Sequence, residues 1–198
     1  MAKTPEVVPP KPRRYTSVSR KTEPRVCQGD IFRNIEYFER VIETDDKIKI
    51  SSIIFPYVII LTQDCDLEQD HSDRTITSKT NHDKHLFSVL VAPLYNVEHL
   101  RGGAHLQELG MTMQLINSNK ASFVKNNEIS RYHYLEFNPQ DVQLPPLAID
   151  FKHYFSLNVE YLKERIPTHW VCKIAELHRE NVCQRFASFL ARIGLPNI

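Results

Sequence analysis

Glycine is scarce in this chain, five in 198 residues, and none is spaced to build a phosphate-cradling loop. Walker, dinucleotide-binding and Gly-x-Ser-x-Gly patterns are all missing, which disfavours nucleotide-dependent enzymes and the strand-to-helix nucleophile elbow. Cysteine is almost as sparse. Cys27, Cys65, Cys172 and Cys183 show no paired C-x-x-C spacing, so neither a zinc ribbon nor a disulfide framework is indicated. Reduced thiols are expected. No apolar run approaches the ~20 residues of a spanning helix, and the N-terminus lacks the apolar stretch of a secretory signal. The expectation is a soluble, cytoplasmic protein without a membrane partner. Net charge is nearly absent too, with 25 Lys and Arg against 24 Asp and Glu.

What is present begins with an asymmetry under that balance. Residues 1–25 hold Lys3, Lys11, Arg13, Arg14, Arg20, Lys21 and Arg25 against Glu6 and Glu23, a net +5 that leaves −4 for the remainder. With five prolines and little apolar periodicity, the segment has too little to bury to offset its ordering entropy. It reads as a flexible basic arm, either gripping phosphates through Arg13, Arg14, Arg20 and Arg25 or serving as a solubilising tail. Residues 26–198 have the composition and length of a single domain.

Within that domain the apolar residues recur mostly at period two. A first strand starts at Gly29-Asp30-Ile31-Phe32, and Ile48 to Ser52 alternates as a half-buried strand should, with Asp45-Asp46 before it as a turn. Ile53 to Thr62 is a nearly continuous β-branched run, a central strand. Asp64 to Asp73 is dense in carboxylates and reads as a loop. Leu86 to Tyr95 supplies another buried strand stopped by Pro93, and Met111 to Ile116 and Tyr132 to Phe137 read as short ones. Over Leu147 to Leu157 one face takes Ile149, Phe151, His153 and Phe155, and the other takes Asp150, Lys152 and Tyr154. Trp170 to Leu177 fits a last strand or the first turns of a helix. From His178 the period changes: Val182, Phe186, Phe189, Leu190 and Ile193 mark an amphipathic helix over about 178–193, stopped by Gly194. The fold class is mainly β (α+β), a small antiparallel barrel or bent sheet with a C-terminal helix across its open side.

Three ordered segments, Gly29-Asp30-Ile31-Phe32, Pro56 to Thr62 and Val89 to Leu94, resemble the opening of MazF/PemK-type toxins. The likeness covers roughly residues 28–95. It implies an SH3-like barrel and cleavage of single-stranded RNA by an Arg ahead of the second strand's Pro and a hydroxyl after the third strand's Pro. Phe55 stands at the Arg position and Tyr95 at the hydroxyl position. A phenyl ring lacks the permanent cation and five-donor fork of Arg.

Several constellations carry chemistry of their own. Thr62-Gln63-Asp64-Cys65-Asp66 lies at the mouth of a buried strand, where Cys65 as a nucleophile needs a cation or base to outweigh two adjacent carboxylates. The bland reading of Cys65 is a small buried hydrophobe. Asp64, Asp66 and Asp70, with Asp30, suit magnesium or manganese, although ordinary turn carboxylates look the same. Cys65, His71, His82 and His85 offer zinc ligand types without tight paired spacing. On a strand, Arg131 and His133 share one face, a phosphate contact beside a proton carrier, and Tyr132 and Tyr134 share the other. Phe151, His153 and Phe155 read as core with one satisfied histidine.

Two functions from different classes follow. The first is a bacterial toxin or defence-type protein directed at nucleic acid, RNA rather than DNA. As a phosphodiester hydrolase it would use His133 as acid or base, Arg131 for phosphate charge, and Asp64 or Asp66 to orient them, with Tyr134 and the basic arm as contacts. No cofactor is required, Asp64 and Asp66 being the one place for Mg or Mn. The second is a non-enzymatic SH3-like module whose barrel groove and C-terminal helix bind a protein partner; Arg179, Arg185 and Arg192, away from that helix's apolar stripe, suit nucleic acid or ordinary solvation. A Cys65-dependent thiol hydrolase is the remaining alternative.

Overall fold

A computed structural model describes residues 15–44, 47–78 and 80–192. Eight strands form one antiparallel sheet: β1 (Val18–Ser19), β2 (Asp30–Thr44), β3 (Lys47–Ile60), β4 (Ser88–Asn96), β5 (Tyr132–Leu135), β6 (Leu147–Asp150), β7 (Phe155–Asn158) and β8 (Trp170–Ile174). Their order is β1-β8-β2-β3-β4-β6-β5, with β7 also on β4, and the sheet curls into a half-barrel. Alternation decides which side each residue serves. Ile31 and Ile59 face one core, and Phe32, Val58 and Ile60 face the other. Because both faces are covered, the run before Leu61 is apolar almost without interruption.

The described residues also hold five α-helices: α1 (Asp64–Arg74), α2 (Val97–Arg101), α3 (Ser118–Lys125), α4 (Val159–His169) and α5 (Glu176–Leu190). Val182, Phe186 and Phe189 of α5 pack on the first core, and Leu67 of α1 with Val159 and Leu162 of α4 pack on the second. The C-terminal helix therefore covers a sheet face as expected, though it starts at Glu176, two residues early. Residue 193 lies outside the described residues, as do Asp45, Asp46, Arg13 and Arg14.

Several sequence expectations are corrected. Asp64 to Asp73 is the helix α1, with Asp64 and Asp66 in its first turn, where carboxylates suit the positive end of the helix dipole. Its apolar stripe is nearly absent because ion-paired Asp70 and Asp73 occupy buried positions beside Leu67. Ile48 to Ser52 and Ile53 to Thr62 are one strand, β3. Met111 to Ile116 is irregular, tied back by bonds from Met113 N–H to Gly103 and from Ile116 N–H to Arg101. The arm expected over 1–25 gives way at Tyr15. Val18 pairs with Ile174, and Thr16 N–H donates to the Glu136 carbonyl at 2.6 Å.

Two local devices position the rest. Gly29 has φ +81°, and a Cβ there would approach Ile174 to 2.8 Å, so the Gly-Asp turn has no room for a side chain. The expected ladder over Leu147 to Leu157 is broken in the middle. Along one edge of β4, β6 pairs with Leu94–Asn96 and β7 with Ser88–Val91, and a single 3-10 turn at Phe151–His153 joins them. Ala92 and Pro93 lie at the break and pair with neither β6 nor β7, so the N–H that proline lacks is not missed along that edge.

Candidate active site

That break gathers the most reactive-looking group in the molecule. Asp150 ends β6 with its side chain fully buried, and its oxygens accept from Arg131 Nε at 2.8 Å and Arg131 Nη2 at 2.6 Å. It also caps the turn by accepting from the Lys152 N–H at 3.0 Å, and it contacts His153 Nδ1 at 3.2 Å. On β4, the Tyr95 hydroxyl lies 3.2 Å from the same His153 nitrogen. The Tyr95 hydroxyl can donate to this nitrogen or accept from it, and a proton on Nδ1, held by Tyr95 and Asp150, leaves Nε2 its lone pair. Arg131 commits Nε and Nη2 to Asp150, leaving Nη1 as the donor for an anion. The side chains of His153 and Arg131 are about a quarter exposed, so solvent and ligands reach both.

The electrostatics suit a neutral base beside a fixed cation. Burial lowers the His153 pKa; Asp150 opposes this, and Arg131 and Lys152 add to it. The imidazole therefore stays neutral at neutral pH. Burial raises the Tyr95 pKa, with Asp150 adding to it, so the phenol keeps its proton. Arg131 is raised by its bonds to Asp150. His105 packs on Tyr95 with ring centroids 4.7 Å apart, and both its ring nitrogens are buried without a hydrogen-bond partner. Its pKa is lowered, chiefly by burial. Tyr95 and His105 also line a cavity of about 190 Å³ with Phe55, Pro56 and Leu106. Phe55 and Tyr95, the two positions singled out by the toxin resemblance, thus share one cavity wall.

The residues expected from sequence divide between this centre and two other places. His133 faces the first core, 3% exposed and with Nδ1 unpartnered; burial, then Arg185 and His178, push its pKa down to about 3. Arg131 precedes β5 and lies over the Tyr132 ring instead of sharing a face with His133. Tyr134 is half-buried with its hydroxyl on Glu136. Asp64 is gripped through both oxygens by Arg25 at 3.1 Å, accepts from the Gln28 N–H, and has Arg179 Nη1 at 3.6 Å. Burial pulls its pKa up, but Arg25 and Gln28 outweigh that and leave it below the usual carboxylate range. Arg25 is therefore an internal ion-pair partner, while Arg20 lines a groove with Arg33 and Trp170.

Cys65 is exposed on α1, not a buried hydrophobe, and its sulfur meets only acceptors at close range, Gln63 Oε1 and Asp66 Oδ1 at 3.7 Å each. It lines a groove with Ser72 and Lys84, while His82 and His85 line another, so the four zinc-type ligands do not converge. Asp70 is taken by Arg74 and the Leu86 N–H, and Asp30 by Trp170 and the Cys27 N–H. Among the described residues no group of three or more His, Cys, Asp or Glu is arranged for a metal ion. No described helix is long and apolar enough to cross a membrane.

Asp150, His105 and the contact of His153 with Asp150 and Tyr95 escaped the sequence reading. Period two placed Asp150 and His153 on opposite faces, and the 3-10 turn brings them together at i and i+3. The juxtaposition of Asp, Lys and His around 150–153 was the available signal. No family model and no curated protein matches the chain.

Proposed function

We propose that this chain is a cytoplasmic, nucleic-acid-directed protein of bacterial toxin or defence type that cleaves single-stranded RNA at the Tyr95–Arg131–Asp150–His153 centre. One observation carries the reading: a single buried carboxylate, Asp150, holds a guanidinium and lies against an imidazole, both about a quarter exposed. His153 Nε2 takes the proton of a ribose 2′-hydroxyl, and that oxygen attacks the adjacent phosphorus as the bond to the 5′-oxygen breaks. The leaving oxygen takes a proton from water, and the products are a 2′,3′-cyclic phosphate and a 5′-hydroxyl. Arg131 Nη1 meets the negative charge that grows on the phosphoryl oxygens. Tyr95 and Asp150 hold the imidazole in the tautomer this requires. RNA is preferred to DNA because the nucleophile is the 2′-hydroxyl, which DNA lacks.

Incubation with single-stranded RNA and DNA, each with and without EDTA, tests this. RNA alone should be cut, EDTA should not matter, and the ends should be cyclic phosphates. Intact RNA together with no salt-sensitive retention of either nucleic acid would defeat the proposal.

A further inference from the structure

The cleavage step makes no use of the cavity beside Tyr95, and the walls of that cavity are of two kinds. It lies between the middle of β3 and the segment from α2 to Leu109, and Ile54 and Pro56, both exposed, leave it open to solvent. Ile54, Phe55, Pro56 and Leu106 make its apolar part, which suits the faces of a flat ring. Its volume of about 190 Å³ is room for roughly six waters at ~30 Å³ each, the space of one heterocyclic base. Pockets for drug-sized ligands begin at about 300 Å³.

Two polar groups interrupt those walls. Both ring nitrogens of His105 are buried without a hydrogen-bond partner, the nearby His99 carbonyl falling short of hydrogen-bond geometry, and that cost persists until something pairs them. A neutral imidazole offers one N–H and one lone pair, and either tautomer is open to it. Glu108 is exposed on the same wall and among the described residues has no ion-pair partner. Its carboxylate only accepts. The Tyr95 hydroxyl lies 3.2 Å from His153 and the Tyr95 ring packs on His105, so one side chain joins the centre to the cavity.

We propose that the cavity receives the base beside the scissile phosphate and selects bases with an exocyclic amino group, adenine, cytosine or guanine, over uracil. This rests on the reading that the centre engages single-stranded RNA. The amino group donates to Glu108, and the adjacent ring nitrogen pairs with His105, accepting from it in adenine and cytosine and donating to it in guanine. Uracil sets a carbonyl oxygen where the others carry the amino group, so two acceptors face each other with no proton between them. Glu108 and the apolar walls turn away an anion, and a purely apolar ligand leaves His105 unpaired.

Fluorescence anisotropy of the full chain with 2′-O-methyl oligonucleotides, which keep their bases but lack the free nucleophile, tests this at fixed salt. Strands of A or C should bind tighter than strands of U by about tenfold or more, the worth of one hydrogen bond to a charged group. Glu108→Gln, an exposed change whose amide can donate to a carbonyl, should erase the preference. Ala104→Trp, which fills the cavity from an exposed position, should lower A and C to the level of U. Glu98→Gln, equally exposed but outside the cavity, should leave the preference intact. Equal binding of A, C and U by a chain that cuts RNA would overturn the inference and leave the cleavage reading standing, as would a preference that survives both Glu108→Gln and Ala104→Trp. A preference lost in both variants of a chain that cuts no RNA would uphold the base site and defeat cleavage alone. A chain that neither binds nor cuts would take both down.

Discussion

Asp64 and Asp150 are each held by an arginine fork at hydrogen-bond distance, yet the groups that share the two carboxylates differ. Around Asp64 the other neighbours are the Gln28 N–H and a second guanidinium, Arg179, none of which exchanges a proton near neutral pH. Around Asp150 they are an imidazole with a phenol beside it. Exposure differs as well, since the Asp64 side chain is a quarter exposed and that of Asp150 is sealed. An Arg–Asp pair is thus common to a brace and to the proposed centre. What separates them is whether a proton carrier sits on the carboxylate's remaining lone pairs. The Asp64 pair ties the start of α1 to the N-terminal segment and to α5, and the Asp150 pair aims His153.

The strongest way to break this comparison is to remove each carboxylate. Asp150→Ala leaves Arg131 without its partner in a partly buried site and should cost about 3–5 kcal/mol, read from urea midpoints, along with RNA cleavage. Asp64→Ala acts on a more exposed pair and should cost about 1–2 kcal/mol, with cleavage retained. Lost cleavage in a folded Asp64→Ala protein would reverse the assignment. The next largest effect separates chemistry from folding. His153→Asn should lower the cleavage rate by about 10²–10⁴-fold while the urea midpoint barely moves, and Cys65→Ser should change neither. An equal loss of rate in Cys65→Ser would return the site to the first turn of α1, with Asp64 and Asp66.

The sheet was legible where alternation is clean, as in Ile48 to Ser52, or where a short apolar run marks a strand covered on both faces, as in Ile53 to Thr62 and Leu86 to Tyr95, and the C-terminal helix was legible because Val182, Phe186 and Phe189 keep helical spacing. α1 was not, because its buried positions hold Asp70 and Asp73, and a helix whose inner face is salt-bridged has the composition of a loop. α4 was missed although Val159, Leu162 and Ile166 keep helical spacing, because the stripe is short and Pro167 lies inside the helix. The site was half legible. Arg131 was identified, and Tyr95 was singled out as standing at the resemblance's hydroxyl position. The choice of histidine failed because period two cannot report a single 3-10 turn, which rotates His153 out of the core face and onto Asp150. His133 obeys the alternation faithfully, and for that reason it is buried.

The two histidines extend the comparison to pH. His133, with its pKa near 3 in the fold against about 6.5 unfolded, is neutral in both states above that value. Below it the unfolded chain takes the proton first, so stability falls by about 1.4 kcal/mol per pH unit as pH drops toward 3. Asp30 runs the other way. Burial, partly offset by its bonds from Trp170 and Cys27, raises its pKa to about 7 from 3.8, so between those values the folded chain holds the extra proton and stability falls as pH rises. The two contributions nearly cancel between about pH 4 and 6.5. His133→Leu should therefore unmask a stability that declines with rising pH across this window, and Asp30→Asn one that declines with falling pH, each relative to the parent chain in urea titrations at fixed salt. His153, partly exposed and braced by Asp150, should leave the slope much as it is when replaced by Asn. A His133→Leu slope equal to the parent's would mean that this imidazole is solvated after all, and would remove the contrast between a buried histidine and the one proposed to act as a base.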